Sequence, residues 1–119
     1  MNYSEIVREY YQRVDAGDIE WVVSMFLEDG TYDRAGIIYS GKDAIRRFYE
    51  EDRKVSFTHS NIKLWDVSDD IFVEGDFAGK GQDGSLRKGQ FSDHWTFNKD
   101  GKVTLRRTSL FLGSDYIKA

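Results

Sequence analysis

The residues in this chain best suited to moving a proton are His59 and Asp93. A histidine's free pKa of about 6.5 makes it a usable base near neutral pH. Asp93 alternates with Phe91, Trp95 and Phe97 in a run of period two, which sets it on an aromatic face. Taking a carboxylate out of water raises its pKa and favours the form that donates a proton. Asp93 also reads as a strand residue that faces solvent or pairs with an arginine. If it faces His59, the two form an acid–base pair that needs no metal. His59 reads equally well as an edge histidine bonded to backbone, while His94, next to Asp93, points to the opposite face. Arg107 alternates with Val103, Leu105, Ser109 and Phe111. If that face lines a cavity, its guanidinium binds a carboxylate or stabilises an enolate; Arg106 carries the same ambiguity with the faces swapped.

Other chemistries are disfavoured. Two histidines and no cysteine make no ordinary zinc site without carboxylates, and none stands at a ligand spacing, so no metal is expected. Gly79-Lys80-Gly81 reads as a turn rather than a phosphate loop, because no helix follows it. The net charge is −4, and the basic pairs Arg46-Arg47, Arg87-Lys88 and Arg106-Arg107 are too short to build the basic face a nucleic acid requires. There is no basic, apolar leader and no long apolar run, so the expected setting is cytoplasmic, with no membrane partner.

These candidates need elements to hold them. A length of 119 residues with 39% hydrophobic and 32% charged side chains suits one globular domain over residues 1–119. Tyr3, Ile6, Val7, Tyr10, Tyr11 and Val14 recur at three- and four-residue spacings, the stripe of an amphipathic helix. Ala16-Gly17-Asp18 ends it and caps a second helix with Ile19, Val22, Val23 and Phe26 on one face, closed by Glu28-Asp29-Gly30. Thr31 to Arg34 reads as a short strand, and Gly41-Lys42-Asp43 opens a third helix with Ala44, Ile45, Phe48 and Tyr49 on its stripe. From Val55 the period becomes two, giving strands over 55–67, 71–79, 86–98 and 102–112. Ser68-Asp69-Asp70, Gly81-Gln82-Asp83-Gly84 and Asn98-Lys99-Asp100-Gly101 supply the turns of an antiparallel meander. Helices first and strands afterwards predict an α+β fold, with three N-terminal helices packed on the concave face of a curved antiparallel sheet. Gly75, Gly79 and Gly89 permit the bending, and such a concavity is a default ligand site. Tyr32, Trp65, Phe77 and Trp95 are candidates for its wall, each also explicable as core.

Several stretches resemble a known family. Tyr10-Tyr11-Gln12-Arg13-Val14-Asp15-Ala16-Gly17-Asp18 with Met25-Phe26-Leu27-Glu28-Asp29-Gly30-Thr31-Tyr32 is similar to the opening of ketosteroid isomerases and the wider SnoaL-like superfamily. Ser40-Gly41-Lys42-Asp43-Ala44-Ile45-Arg46-Arg47-Phe48-Tyr49 and Asp93-His94-Trp95-Thr96-Phe97-Asn98-Lys99-Asp100-Gly101-Lys102-Val103 extend the likeness over nearly the whole chain. The resemblance implies the cone-shaped α+β barrel of the nuclear-transport-factor type. It matches Tyr10 to the tyrosine that donates to the substrate oxygen, and Asp93 to the aspartic acid kept neutral to do the same. It puts Arg34 where those isomerases carry their catalytic aspartate. Asp33 stands one place earlier and substitutes as a base only with a register shift, since strand neighbours face opposite ways. The limonene-epoxide-hydrolase and SnoaL cyclase branches carry a last-strand carboxylate; here Arg106-Arg107-Thr108-Ser109-Leu110-Phe111 holds none, which argues against both activities.

The function expected is a cofactor-independent enzyme that moves a proton on a small apolar carbonyl compound through an enol(ate), as an isomerase, cyclase or dehydratase. His59, or Asp33, would move the proton, while Tyr10 and Asp93 would hold the oxyanion. The alternative is a non-catalytic small-molecule-binding or dimerisation module of the same fold. A homodimer is what the resemblance implies.

Overall fold

The N-terminal apolar stripe folds as a helix, α1 (Tyr3–Asp15), with Val7, Tyr10, Tyr11 and Val14 buried, in the computed structural model, which describes residues 2–53 and 56–111. The Asn2 side chain caps it by accepting from the Glu5 amide at 3.3 Å. Gly17, at φ 82°, makes the left-handed exit, and Asp18 caps α2 (Ile19–Ser24) through the Trp21 amide. There follow β1 (Phe26–Arg34), β2 (Ile37–Ser40) and α3 (Lys42–Arg47), which runs into a π-helical turn (Phe48–Asp52). The rest is strand: β3 (Ser56–Val67), β4 (Asp70–Lys80), β5 (Leu86–Phe97) and β6 (Val103–Phe111). Positions 55 and 112, expected as strand ends, lie outside the described residues.

Two expectations need correction. Phe26 opens a nine-residue strand rather than completing the second helix, because β6 takes it into the sheet, Phe26 beside Val103. That pairing also makes the sheet mixed rather than antiparallel. Its order is β2-β1-β6-β5-β4-β3, every neighbouring pair antiparallel except β1 with β6, which run parallel. The architecture is α+β, a six-stranded curved sheet with three helices.

The inner face of the sheet carries Ile71, Val73 and Phe77 of β4 and Phe91, Asp93, Trp95 and Phe97 of β5, all buried. Helix α1 packs on this face: Tyr3 stacks on Phe97 at 4.5 Å, and Tyr10 meets Trp95 edge-on at 4.8 Å. Two bulges decide what else faces inward. Between Ser60 and Lys63, β3 carries one residue more than β4, and Asn61 takes the extra place at φ 54°. Between Val103 and Leu105, β6 carries one residue more than β5. Each bulge flips the alternation, so Phe57, His59, Ile62 and Leu64 point in along β3, and Val103, Arg106, Thr108 and Leu110 along β6.

A glycine guards one crossing of this sheet. A β-carbon on Gly89 would sit 2.5 Å from the Phe111 carbonyl oxygen, a backbone atom that cannot swing away. Gly89→Ala is therefore expected to push β6 off β5 and to cost about 1–3 kcal/mol, read as a lower urea midpoint. An unchanged midpoint would mean that the two strands have room to spare.

Candidate active site

At the centre of the inner face lies a buried ion pair. The Arg106 side chain is 5% exposed and that of Asp93 is fully enclosed; Nη2 donates to Asp93 Oδ2 at 3.0 Å. Arg106 Nη1 donates to the hydroxyls of Tyr10 at 2.5 Å and Tyr49 at 2.8 Å, which are themselves 2.6 Å apart. The guanidinium carbon lies 4.5 Å from the Tyr10 ring centre and 4.6 Å from those of Tyr32 and Trp95. Asp93 also accepts from the hydroxyls of Tyr11, at 2.5 Å, and Thr108. With donors on three sides, its carboxyl is spent as an acceptor rather than free to donate. Burial is the largest influence on Arg106 and opposes its charge, but the Asp93 carboxylate and the phenols of Tyr10, Tyr32 and Tyr49 together outweigh it and hold the guanidinium pKa above its ordinary value. Burial, then the Asp93 charge, raises the Tyr11 phenol; burial takes Tyr32 up to about 12.

One atom of this cluster has no partner: Arg106 Nε is buried and makes no hydrogen bond to the described residues. Arg106 is also a wall residue of a cavity of about 40 Å³, shared with Tyr32, His59, Phe77 and Thr108. Phe48, Phe57, Phe91 and Leu110 supply its apolar lining, and Arg34 and Arg53 complete it. The size admits a small group rather than a ring system.

The second functional pair is His59 with Asp15. His59 Nδ1 lies 2.6 Å from Asp15 Oδ1, and the His59 backbone amide donates to Asp15 Oδ2 at 2.9 Å. A carboxylate accepts only, so Nδ1 carries the proton and Nε2 is left as the basic nitrogen. The ring sits between Tyr11, at 5.2 Å, and Phe91, at 5.3 Å. Burial lowers the His59 pKa below 6.5, partly offset by the hydrogen bond and charge of Asp15.

His59, Tyr32 and Phe77 thus stand on the cavity. Tyr10, Asp93 and Trp95 stand behind it, and the first two hold Arg106. The partner of His59 is Asp15, not Asp93. Asp33 and Arg107 take the other reading open to them, that of an ion-paired carboxylate and an outer-face arginine: both lie on the outer face, paired with each other at 3.4 Å, and Arg107 is 56% exposed. Asp33 neighbours the inward Tyr32 and so points away, while the β6 bulge turns Arg107 out and Arg106 in. Trp65, 48% exposed, is turned out by the β3 bulge and forms no part of the cavity wall. Arg34, not Asp33, is the β1 side chain on the cavity beside Tyr32. Asp15 was missed as a site residue; its signal is the stripe Val7, Tyr11, Asp15, which ends in a carboxylate on the buried face of α1.

Among the described residues no helix is long and apolar enough to cross a membrane. No curated protein matches the sequence. Solved structures do. An NTF2-like protein of unknown function from Burkholderia pseudomallei superposes with a TM-score of 0.85 at 16% identity, over 99% of this chain and 96% of that one. SalBIII, an epoxide hydrolase/cyclase-like enzyme of pyran ring formation in polyether salinomycin, gives 0.77 at 21% identity, over 92% and 91%. TerC, co-crystallized with polyporic acid, gives 0.80 at 18%, over 92% and 91%. At such identities the likeness is one of fold. The sequence itself matches the SnoaL-like domain over residues 7–106, and the chain belongs to that family.

Proposed function

We propose that this chain is an enzyme that moves a proton on a small carbonyl compound through an enol(ate), and that the reaction needs no cofactor. One observation carries the reading: His59, oriented by Asp15, stands on the same small cavity as Arg106, whose Nε is buried without a partner. A carbonyl oxygen entering the cavity would be polarised by the fixed charge of Arg106 on its wall. His59 Nε2 then takes the proton from the carbon next to that carbonyl, and the electron pair passes to the oxygen. Returning the proton to another carbon isomerises the substrate; expelling a leaving group dehydrates it. Tyr10 and Asp93 act through Arg106, as positioning residues, rather than on the substrate. The concavity of a cone gives this arrangement its depth.

The test is solvent-deuterium exchange into methyl acetoacetate, a neutral keto ester, followed by NMR. The wild type should exchange the carbon-bound protons above the buffer rate. Because burial lowers the His59 pKa, activity should be full above pH 6.5 and fall only as the pH drops through the depressed value. Exchange at the buffer rate at every pH would remove the enzyme reading and leave a binding module of the same fold.

A further inference from the structure

The cavity carries a charge opposite to that of the whole protein. The chain is net −4, yet the charged side chains on the cavity wall are Arg34, Arg53 and Arg106, with His59 neutral and no aspartate or glutamate among the described wall residues. Arg106 is neutralised by Asp93 behind the wall. Arg34 and Arg53 are not: among the described residues neither has a carboxylate within ion-pair distance.

Both guanidiniums are nevertheless held in place. Arg34 lies over the Phe48 ring at 5.3 Å and Arg53 over Phe57 at 5.7 Å, and both rings are cavity wall. Stacking on a ring face fixes the plane of a guanidinium and leaves its N–H groups free in that plane. Two half-buried arginines so mounted on one cavity wall, with no carboxylate partner among the described residues, suit a planar anion. The cavity behind them, of about 40 Å³, has room for a carbonyl group and little more.

We infer that the substrate is a small oxo acid, its carboxylate held at the rim by Arg34 and Arg53 and its carbonyl reaching Arg106. This rests on the proton-transfer reading above for the role of the carbonyl, but the preference for an acid stands on the rim alone. The bonds balance as before: the carbon–hydrogen bond breaks, His59 Nε2 takes the proton, the carbonyl oxygen takes the electron pair, and the carboxylate stays intact.

The test compares acetoacetate with methyl acetoacetate, which differ at one end only, a charged carboxylate against its neutral methyl ester. Binding is read by saturation-transfer NMR, and reaction by deuterium exchange. Acetoacetate should bind the wild type at least tenfold more tightly than the ester, with the difference shrinking as salt is raised. Arg34→Gln and Arg53→Gln should each reduce acetoacetate binding about three- to tenfold and so shrink its advantage over the ester. Equal binding of acid and ester, or an acid preference untouched by both variants, overturns the inference while leaving exchange of the ester to speak for the enzyme. Preferential binding of acetoacetate without exchange of either compound supports the anion rim and overturns the reaction.

Discussion

Asp93→Leu is expected to lower the stability of the protein by about 3–5 kcal/mol, because it leaves the Arg106 charge buried with no counter-charge. The hydroxyls of Tyr11 and Thr108 lose their acceptor in the same change. For a chain of this size the loss corresponds to a fall in melting temperature of about 10–20 °C. The expectation has a sharper form in the double variant. Asp93→Leu with Arg106→Met removes both charges, and the Tyr10 and Tyr49 hydroxyls still bond each other. Much of the loss should then return, since a buried pair is worth little more than an apolar replacement while a broken one is costly. Thermal melts of the two singles and the double decide it: if the double is the sum of the singles, the two side chains do not act as a pair.

His59→Gln should reduce exchange of the keto ester by about 10²–10⁴, the usual worth of a positioned base. Asp15→Asn separates orientation from mere presence. Its charge raises the His59 pKa against the burial that lowers it, so removing the charge lets that pKa fall further. The acid limb of the rate profile should move to lower pH in Asp15→Asn, together with a smaller loss of rate. A limb that stays in place would show that Asp15 holds only the His59 backbone amide. The same shift has a stability counterpart whose sign follows from proton counting. The unfolded chain binds a proton at His59 below about pH 6.5, whereas the native state resists it. This group's contribution is intact above that pH and is lost as the pH falls through the depressed native value.

Much of this was legible in the residues. The helical stripe of α1, the Gly17-Asp18 break and the four long strands announce themselves by period and punctuation. The parallel edge did not, because nothing local in Phe26–Arg34 says that its neighbour is the last strand. The errors at the site have one physical source. Period-two reading assumes an unbroken alternation, and a single extra residue inverts everything beyond it. Trp65 shares a parity with His59, and Arg107 with Val103, yet each pair is divided by a bulge. The bulge in β3 leaves a trace only in the tolerance of Asn61 for a left-handed conformation. For His59, Tyr32 and Phe77, which line the cavity, no bulge intervenes between each of them and the neighbours that place it. Asp15 escaped because the α1 stripe marks its face but not its partner, His59, which lies 44 residues away.

The parallel edge between β1 and β6 also sets the order of events during synthesis. Asp33 and Arg107 are partners across 74 residues, so β1 leaves the ribosome long before the strand that will cover it exists. At about 5–20 residues per second the delay is on the order of 4–15 s. Through that interval β1 has only the four-residue β2 beside it, and its other edge offers open amides and carbonyls to any passing chain. Arg106 arrives with the same last strand, so the phenols of Tyr10 and Tyr49 wait across 96 and 57 residues for their common partner, and the Asp93 carboxylate across only 13. The nascent protein therefore depends on β6 both to close the sheet and to neutralise its core.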